Sequence, residues 1–405
     1  MADNQGTAEA SSTIKEAPKE GPESTGEQLT GGPIIANEPQ TEVPMTANAL
    51  LTDNSIIASK LLKEGPIISN EPGMDAIPAA TPQLEPTPPP SEEECQEIII
   101  VNEETRELDL NHGRIGKIEN LERLKNLERL YLRWNLIKKI EGLDALSTLV
   151  ELELYDNQIV VIENLDGLVN LEMLDLSFNR IKEISGLDKL LNLKKLFLSS
   201  NKLSEIMNVN HLPKLELLEL GDNRLRVIKN LEGLKTLKQL YLGKNKITKI
   251  QNLEELTELE ILVLQNNRIT KIEHLDELTK LEQLYLSENG ISVIENMGNQ
   301  VKLQTLDLAS NRITVIDNVR HMVDLEELWL NDNQVAEWSS VEYLEQNKKI
   351  ATIYLERNPI AEDPAYRRKL KLTLPSLQQI DATLCSRGLF QHSNPEQGEH
   401  SRRSP

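Results

Sequence analysis

A single period of 22 residues dominates this chain from residue 105 onward. Aligned on its leucines, the stretch 127–148 recurs with starts at 149, 171, 193, 215, 237, 259, 281, 303 and 325, with a degenerate copy at 105 and a looser one at 350. The template is L-x-x-L-x-L-x-x-N-x-I-x-x-I-x-x-L-x-x-L-x-x. We call each copy a coil and number its positions from 1 to 22. One coil cannot bury its apolar face alone, so the coils must stack around one elongated core.

The residue types assign a structure to each part of a coil. The L-x-L alternation predicts a short strand whose leucines, such as Leu130 and Leu132, point inward. The asparagine at position 9 leaves the strand at a turn, where a buried amide can bond backbone groups of its own and adjacent coils. The second half of the coil has i, i+3 apolar spacing and predicts a 3₁₀ turn or extended segment. The position-9 asparagines are Asn135, Asn157, Asn179, Asn201, Asn223, Asn245, Asn267, Asn289, Asn311 and Asn333.

The pattern is the leucine-rich-repeat signature. It predicts an α/β fold, a leucine-rich-repeat solenoid of horseshoe shape with a parallel concave sheet, a 3₁₀ or extended convex side and a C-terminal helical cap. We place the solenoid at 105–357 and the cap at 358–383. In the cap, Tyr366, Leu370 and Leu374 share one face of a predicted helix and can cover the last coil.

The flanking segments differ in composition from the repeats. Residues 1–96 hold 13 of the 19 prolines, no aromatic residue, and 4 Lys against 16 Asp and Glu, so 4 − 16 gives a net charge of −12. Such a segment cannot bury enough apolar surface to offset its chain entropy. We therefore expect disordered tails at 1–96 and 384–405. The block GPIIANEP at 32–39 recurs as GPIISNEP at 65–72, either as a local duplication or as a short motif displayed twice.

Composition and motifs exclude several classes of function. The net charge of −21 argues against nucleic acid or an anionic membrane as the main partner. Cys95 and Cys385 are too isolated for a disulfide framework or a cysteine-rich zinc site. No apolar leader segment, long apolar span, phosphate-binding glycine loop or hydrolase motif occurs, and the six histidines are scattered. We expect a soluble intracellular protein that is not an enzyme and has no cofactor, metal or small-molecule substrate.

The residues at position 5 face the concave side and form the most informative set; we call them the concave column. Eleven of its twelve members are acidic or aromatic, and it holds six of the 13 aromatic residues in the chain. High β-propensity explains the aromatic residues but not the acids, which are poor strand formers. We therefore predict a binding surface that suits a folded partner with arginine-rich, partly apolar chemistry. The members are Asp109, Tyr131, Glu153, Asp175, Phe197, Glu219, Tyr241, Val263, Tyr285, Asp307, Trp329 and Tyr354.

Several stretches of sequence indicate a particular family within the leucine-rich-repeat class. The sequences DLNHGRIGKIE, LYDNQI, LGKNKITK, YLERNP and DPAYRRK resemble the nuclear leucine-rich-repeat regulators of protein phosphatase 1 over roughly residues 105 to 383. The resemblance implies a non-catalytic subunit that binds the protein phosphatase 1 catalytic subunit, works in the nucleus and the cytoplasm, and has a role in mitosis. An R/K-V-x-F docking motif is absent, so binding must rest on the arc itself. The implied contacts are Asp175, Phe197, Glu219, Tyr241, Asp307, Glu327, Trp329 and Tyr354, with Asp109, Tyr131, Glu153 and Tyr285 as weaker candidates.

One other function remains open from sequence, and a second is excluded. Similar 22-residue repeats occur in axonemal and cytoskeletal scaffold proteins, whose concave faces would retain tubulin or dynein chains instead of a phosphatase. An acidic histone chaperone would need a long run of consecutive acids, but the longest run here is the three residues 92–94. The sequence does not distinguish inhibition, targeting and chaperoning of the phosphatase, because all three need the same contact.

Overall fold

The computed structural model describes residues 101–385, which form one elongated solenoid. Its sheet has 14 strands in sequential order; neighbouring strands are parallel, except that β14 is antiparallel to β13. The strands are β1 (Glu107–Asp109), β2 (Arg129–Tyr131), β3 (Glu151–Glu153), β4 (Met173–Asp175), β5 (Lys195–Phe197), β6 (Leu217–Glu219), β7 (Gln239–Tyr241), β8 (Ile261–Val263), β9 (Gln283–Tyr285), β10 (Thr305–Asp307), β11 (Glu327–Trp329), β12 (Thr352–Tyr354), β13 (Gln379–Ile380) and β14 (Thr383–Leu384). The predicted solenoid class is confirmed.

The core is a repetition of the same buried side chains. In the coil at 171–192, the seven leucines and isoleucines of the template are each at most 1% exposed. Burying one such side chain contributes about 1.5–3 kcal/mol, so the core is an almost uniform source of stability along the arc. The convex side consists of extended segments and successive i→i−3 turns, such as Leu146 N–H to Leu143 O and Leu149 N–H to Leu146 O.

The position-9 asparagines form the predicted asparagine ladder. Asn157 shows the full pattern: its Nδ2 donates to Leu132 O of the preceding coil at 2.9 Å and to Leu154 O of its own coil at 3.1 Å. Its Oδ1 accepts from the Ile137 N–H at 3.0 Å. Each amide therefore satisfies buried backbone groups on both sides of a coil boundary. Asn358 continues the ladder into the last coil.

A second ladder on the convex side was not predicted. At position 16, residues such as Asn164 and Asn208 have positive φ, and Nδ2 donates to a carbonyl oxygen of the preceding coil. The left-handed backbone accounts for the residue choice, because asparagine and glycine tolerate it best. Gly142 and Gly186 stand at the same position, and a Cβ there would meet a backbone oxygen at 2.5 and 2.7 Å.

The coil before β12 contains a short α-helix, α1 (Trp338–Glu342), and a 3₁₀ helix at Tyr343–Gln346, and the C-terminal cap contains a 3₁₀ helix at Pro359–Glu362 and the helix α2 (Tyr366–Thr373). The predicted cap helix is confirmed as α2, and Tyr366, Leu370 and Leu374 are all buried. The final strands were missed: β13 extends the sheet, and β14 crosses the predicted boundary after residue 383.

Asp381 ends the ladder, because its Oδ1 accepts from the Leu355 and Glu356 N–H groups and from the Tyr366 hydroxyl. The remaining domain boundaries stay predictions. The tail predicted at 1–96, with its duplicated block, and residues 386–405 of the tail predicted at 384–405 lie outside the described residues.

Candidate functional site

The concave column is one continuous row across twelve strands. Each member pairs in register with the next, from Asp109 opposite Tyr131 at one end to Trp329 opposite Tyr354 at the other. The pairs between them include Asp175 opposite Phe197 in the middle of the N-terminal half. Glu327 is at position 3 of its coil and is the first residue of β11, two residues before Trp329 and on the same face. The backbone therefore brings all predicted contact residues onto one surface.

The degree of burial differs from the expectation that the whole column is exposed. Glu153, Tyr285 and Asp307 are only 3–4% exposed, and Asp175 is 9% exposed. Adjacent strands lie about 4.8 Å apart, so a short side chain is covered by larger ones in the coils before and after it. Asp307, for example, lies between Tyr285 and Trp329. The size of the column side chains 22 residues away in adjacent coils thus determines whether an acidic side chain is exposed to solvent.

The aspartates of the column also have a local structural role. Asp109, Asp175 and Asp307 each accept a hydrogen bond from the backbone N–H two residues later, at 2.9, 2.8 and 3.0 Å. This bond satisfies an N–H where the strand ends and the turn begins. It uses one carboxylate oxygen, so it fixes the orientation of the side chain and leaves its charge without a cation.

An acidic group surrounds Phe197 on strands β4 to β6. Asp175 and Glu219 are its in-register neighbours. Burial, reinforced by the charge of Asp175, raises the pKa of Glu219 from 4.5 to about 7. Burial also raises the pKa of Asp175. Among residues 101–385, neither carboxylate forms a salt bridge, so this site holds negative charge in a poorly hydrated place.

Glu153, the next acid in the row, is paired differently. The guanidinium of Arg133 contacts its carboxylate and opposes the rise in pKa that burial causes. Arg133 stands at position 7 of the preceding coil and was not among the predicted site residues. A basic residue 20 positions before an acid of the column was the available signal. Glu153 is therefore less available to a cation from outside than Asp175 or Glu219.

An aromatic group occupies the C-terminal half of the column. Trp329 makes edge contacts with Tyr285 and Tyr354, at ring-centroid distances of 6.3 and 5.8 Å. Its indole Nε1 is buried and has no hydrogen-bond acceptor within the described part of the chain. The Tyr354 hydroxyl accepts from Gln379 Nε2 at 2.6 Å, which ties the group to β13. A buried donor without an acceptor is uncommon in folded proteins.

The remaining predicted contacts frame these two groups. Burial raises the pKa of Asp307 from 3.8 to about 6 and the pKa of Tyr241 to about 12. Burial, followed by the charge of Glu326, raises the pKa of Glu327. Asp109 at the far end is exposed, and Tyr131 is half-buried. The column thus contains two desolvated groups, with its N-terminal end in contact with water.

The described residues hold no cluster of three His, Cys, Asp or Glu side chains arranged to bind a metal. Within the same residues, no helix has the length and apolar character needed to cross a bilayer.

Comparison with known proteins identifies the repeat. A model described as "Leucine-rich repeat" matches residues 283–385, and one described as "Leucine Rich repeats (2 copies)" matches 147–189, 169–214, 213–255 and 257–296. Among solved structures, an internalin from Listeria monocytogenes superposes with a TM-score of 0.56 and 26% identity, over 72% of this chain and 92% of that one. A leucine-rich-repeat protein from Leptospira interrogans gives a TM-score of 0.58 and 27% identity, over 64% of this chain and 73% of that one.

Curated relatives share a short stretch with the chain. Protein phosphatase 1 regulatory subunit 7 from Danio rerio and from Homo sapiens is 54% identical over 46 residues, which is 11% of this chain and 13% of each relative. The same protein from Xenopus tropicalis is 55% identical over 49 residues, 12% of this chain and 14% of the relative. The match therefore spans about an eighth of the length of these relatives, or roughly two coils.

Proposed function

The chain is a leucine-rich-repeat protein, and we propose that it is a non-catalytic subunit that binds the protein phosphatase 1 catalytic subunit through its concave face. The local similarity to regulatory subunits of that enzyme supports the choice of partner. The chemistry of the concave column supports the mode of binding. Bound in this way, the protein modulates the activity, maturation or targeting of the phosphatase in the nucleus and cytoplasm, including during mitosis.

The acidic group around Phe197 is the observation that carries the proposal. Asp175 and Glu219 are desolvated in the free protein, so part of the cost of removing their water is met before the partner arrives. An arginine of the partner would stack on the Phe197 ring and pair with both carboxylates. Binding would favour the charged form of Glu219, whose pKa burial raises to about 7 in the free protein.

The aromatic group supplies the apolar half of the contact. Trp329 is held by rings on both sides, and its buried indole N–H has no acceptor in the described residues. Tryptophan and tyrosine are the residues most enriched among the strong anchors of interfaces. A shift of the Trp329 ring on binding would bring this N–H to a backbone carbonyl of the partner, and the rings would cover an apolar patch beside it.

Calorimetry with the purified phosphatase catalytic subunit tests the acidic group. We expect Glu219→Gln to weaken binding about tenfold to a hundredfold, because a hydrogen bond between charged groups contributes roughly 1.5–3 kcal/mol. Glu232→Gln is the matched control, since it removes the same charge from an exposed residue in the second half of the same coil. Equal affinity of both variants would exclude the concave mode, and a parent chain that does not bind would exclude the phosphatase as partner.

Two substitutions at Trp329 test the aromatic group. Trp329→Ala removes a central anchor and should weaken binding about thirtyfold or more. Trp329→Phe keeps an apolar ring but removes the N–H, so it should weaken binding by a smaller factor of about five to ten. If the concave face instead retains tubulin or dynein chains from a mixture with the phosphatase, the scaffold alternative replaces this proposal.

A further inference from the structure

A row of basic side chains follows the asparagine ladder along the edge of the sheet at which the strands end. It occupies position 10 of five consecutive coils, from the fourth, which starts at residue 171, to the eighth, and we call it the basic row. Every member is exposed or half-buried, and the row ends before Gln158 in the third coil and Gly290 in the ninth. The members are Arg180, Lys202, Arg224, Lys246 and Arg268.

The backbone holds the basic row at a regular spacing. The N–H of each member donates to a carbonyl oxygen of the preceding coil, for example Arg224 N–H to Leu203 O and Lys246 N–H to Leu225 O, both at 2.8 Å. These bonds link each coil to the one before it in the same way, so the row keeps the strand spacing of about 4.8 Å. Four such steps span about 19 Å, a distance that about six residues of an extended chain cover.

None of the five cations of the basic row forms a salt bridge with another described residue. Lysines on the opposite edge, where the strands begin, behave differently, because each contacts a glutamate 22 residues before it. These pairs are Lys194–Glu172, Lys238–Glu216 and Lys280–Glu258. Charge balance between neighbouring coils therefore accounts for the lysines of the opposite edge but leaves the basic row unexplained.

Other side chains on the same edge add positive charge beside the row. Lys244, at position 8 of the seventh coil, has φ of 53°, a left-handed conformation that aspartate and asparagine tolerate better. Asp222, the acid at position 8 of the sixth coil, accepts from the Ser200 hydroxyl at 2.9 Å and forms no salt bridge among residues 101–385. Three more exposed cations without a salt bridge among those residues stand two or three positions after members of the row: Arg226, Lys249 and Lys271.

We propose that the basic row binds an extended acidic segment of a partner protein, about six residues long and rich in aspartate and glutamate. Carboxylates of such a segment complement the unpaired cations, and the long arginine and lysine side chains adjust to their spacing. The ends of the row favour a short segment, because the exposed acids Asp156 and Glu288 stand at position 8 of the coils just beyond it and would repel a longer polyanion. The net charge of −21 disfavours nucleic acid and anionic membranes in the same way.

Fluorescence anisotropy with the purified full chain and a labelled hexaglutamate peptide tests the basic row. The row stands five positions after the concave column, beyond the asparagine ladder, so the test needs no phosphatase and its result is independent of the proposed function. We expect saturable binding that weakens at least tenfold when NaCl rises from about 0.05 M to about 0.3 M, because salt screens exposed ion pairs. No saturable binding of hexaglutamate, or equal binding of hexaglutamine, would overturn the proposal.

Two triple variants locate the contact. Replacing Arg224, Lys246 and Arg268 together by glutamine should weaken hexaglutamate binding at least tenfold, because each exposed ion pair contributes up to about fivefold in affinity. The control makes the same change in net charge on the opposite edge and should keep the affinity within about twofold of the parent. Equal losses in the two variants would mean that the peptide responds only to net charge, which would overturn the row as its site. The control carries Lys194→Gln, Lys238→Gln and Lys280→Gln.

Two other polyanions test the choice of occupant. A labelled ten-residue oligothymidylate and phosphatidylserine vesicles should each bind the parent at least tenfold more weakly than hexaglutamate at the same salt concentration, because both extend beyond the row onto acidic surface. Tighter binding of either one, lost in the variant of the basic row but kept in the control, would replace the acidic segment by a nucleic acid or a membrane.

Discussion

The asparagine ladder and the concave column lie four residues apart on the same coils and treat buried polar groups in opposite ways. In the ladder one residue type recurs, and every amide bonds backbone groups in its own coil and the preceding one. In the column the residue changes from coil to coil, and acids such as Glu219 are desolvated without a salt bridge among the described residues. The ladder serves the fold, whereas the column loses stability to retain its charges.

This difference distinguishes positions of the repeat that serve the fold from positions that we propose serve binding. Every coil packs against its neighbours in the same way, so a position whose role is only structural can carry the same residue in every coil. We propose that a position that varies in charge and size, and is buried at a cost, serves contact with a partner. The sixth coil offers a matched pair for testing this, because Glu219 and Asn223 stand four residues apart within it.

The largest expected effect is at the ladder. Asn223→Ala removes donors to Leu198 O and Leu220 O and the acceptor of the Leu203 N–H. Leaving these buried backbone groups unpaired should cost about 3–5 kcal/mol, seen as a lower urea midpoint by circular dichroism. Affinity for the phosphatase should stay within about twofold under conditions where the variant is folded. A loss of affinity without a loss of stability would place the ladder in the binding surface.

Glu219→Gln should have the opposite effect on stability. The folded state raises the pKa of Glu219 from 4.5 to about 7, so folding favours the protonated form, and the stability of the parent falls as pH rises through this window. The neutral glutamine avoids this loss, which is on the order of 3 kcal/mol above pH 7. We expect a higher urea midpoint than the parent at pH 8 and an equal one at pH 4.5. The same shift at both pH values would show that the carboxyl is not desolvated.

Asp307→Asn is a second test of the column, in a different half of the arc. Folding raises the pKa of Asp307 from 3.8 to about 6, so the free energy of unfolding of the parent falls between about pH 4 and pH 6 as the carboxyl ionises. Asparagine keeps an oxygen for the Ala309 N–H, which isolates the charge from the hydrogen bond. The variant should gain about 3 kcal/mol at pH 8 by urea unfolding. A loss of stability would mean that the charge itself is needed at the strand end.

The sequence predicted the features that recur in every coil, but it did not predict features that depend on which residues stand in the adjacent coils. The inward leucines, the asparagine ladder and the α2 face of Tyr366 follow from periodicity, because every coil obeys the same geometry. The burial of Asp307 depends on the sizes of Tyr285 and Trp329 in adjacent coils, which no single-coil pattern contains. The strained backbone at Lys244 was hidden for a related reason, since its conformation is imposed by the repeat and not by the residue itself.

The smallest effect is expected at Asp109, where the column and the ordinary surface become alike. Asp109 is exposed, and Asp109→Asn keeps an acceptor for the Asn111 N–H. Its charge is already hydrated, so the substitution should change stability by less than about 0.5 kcal/mol and phosphatase affinity by less than about threefold. Calorimetry and urea unfolding beside Glu219→Gln measure both. If Asp109→Asn weakened binding as much as Glu219→Gln, the burial of a residue in the column would not determine its contribution to affinity. The contact would then extend over the whole arc to its first coil.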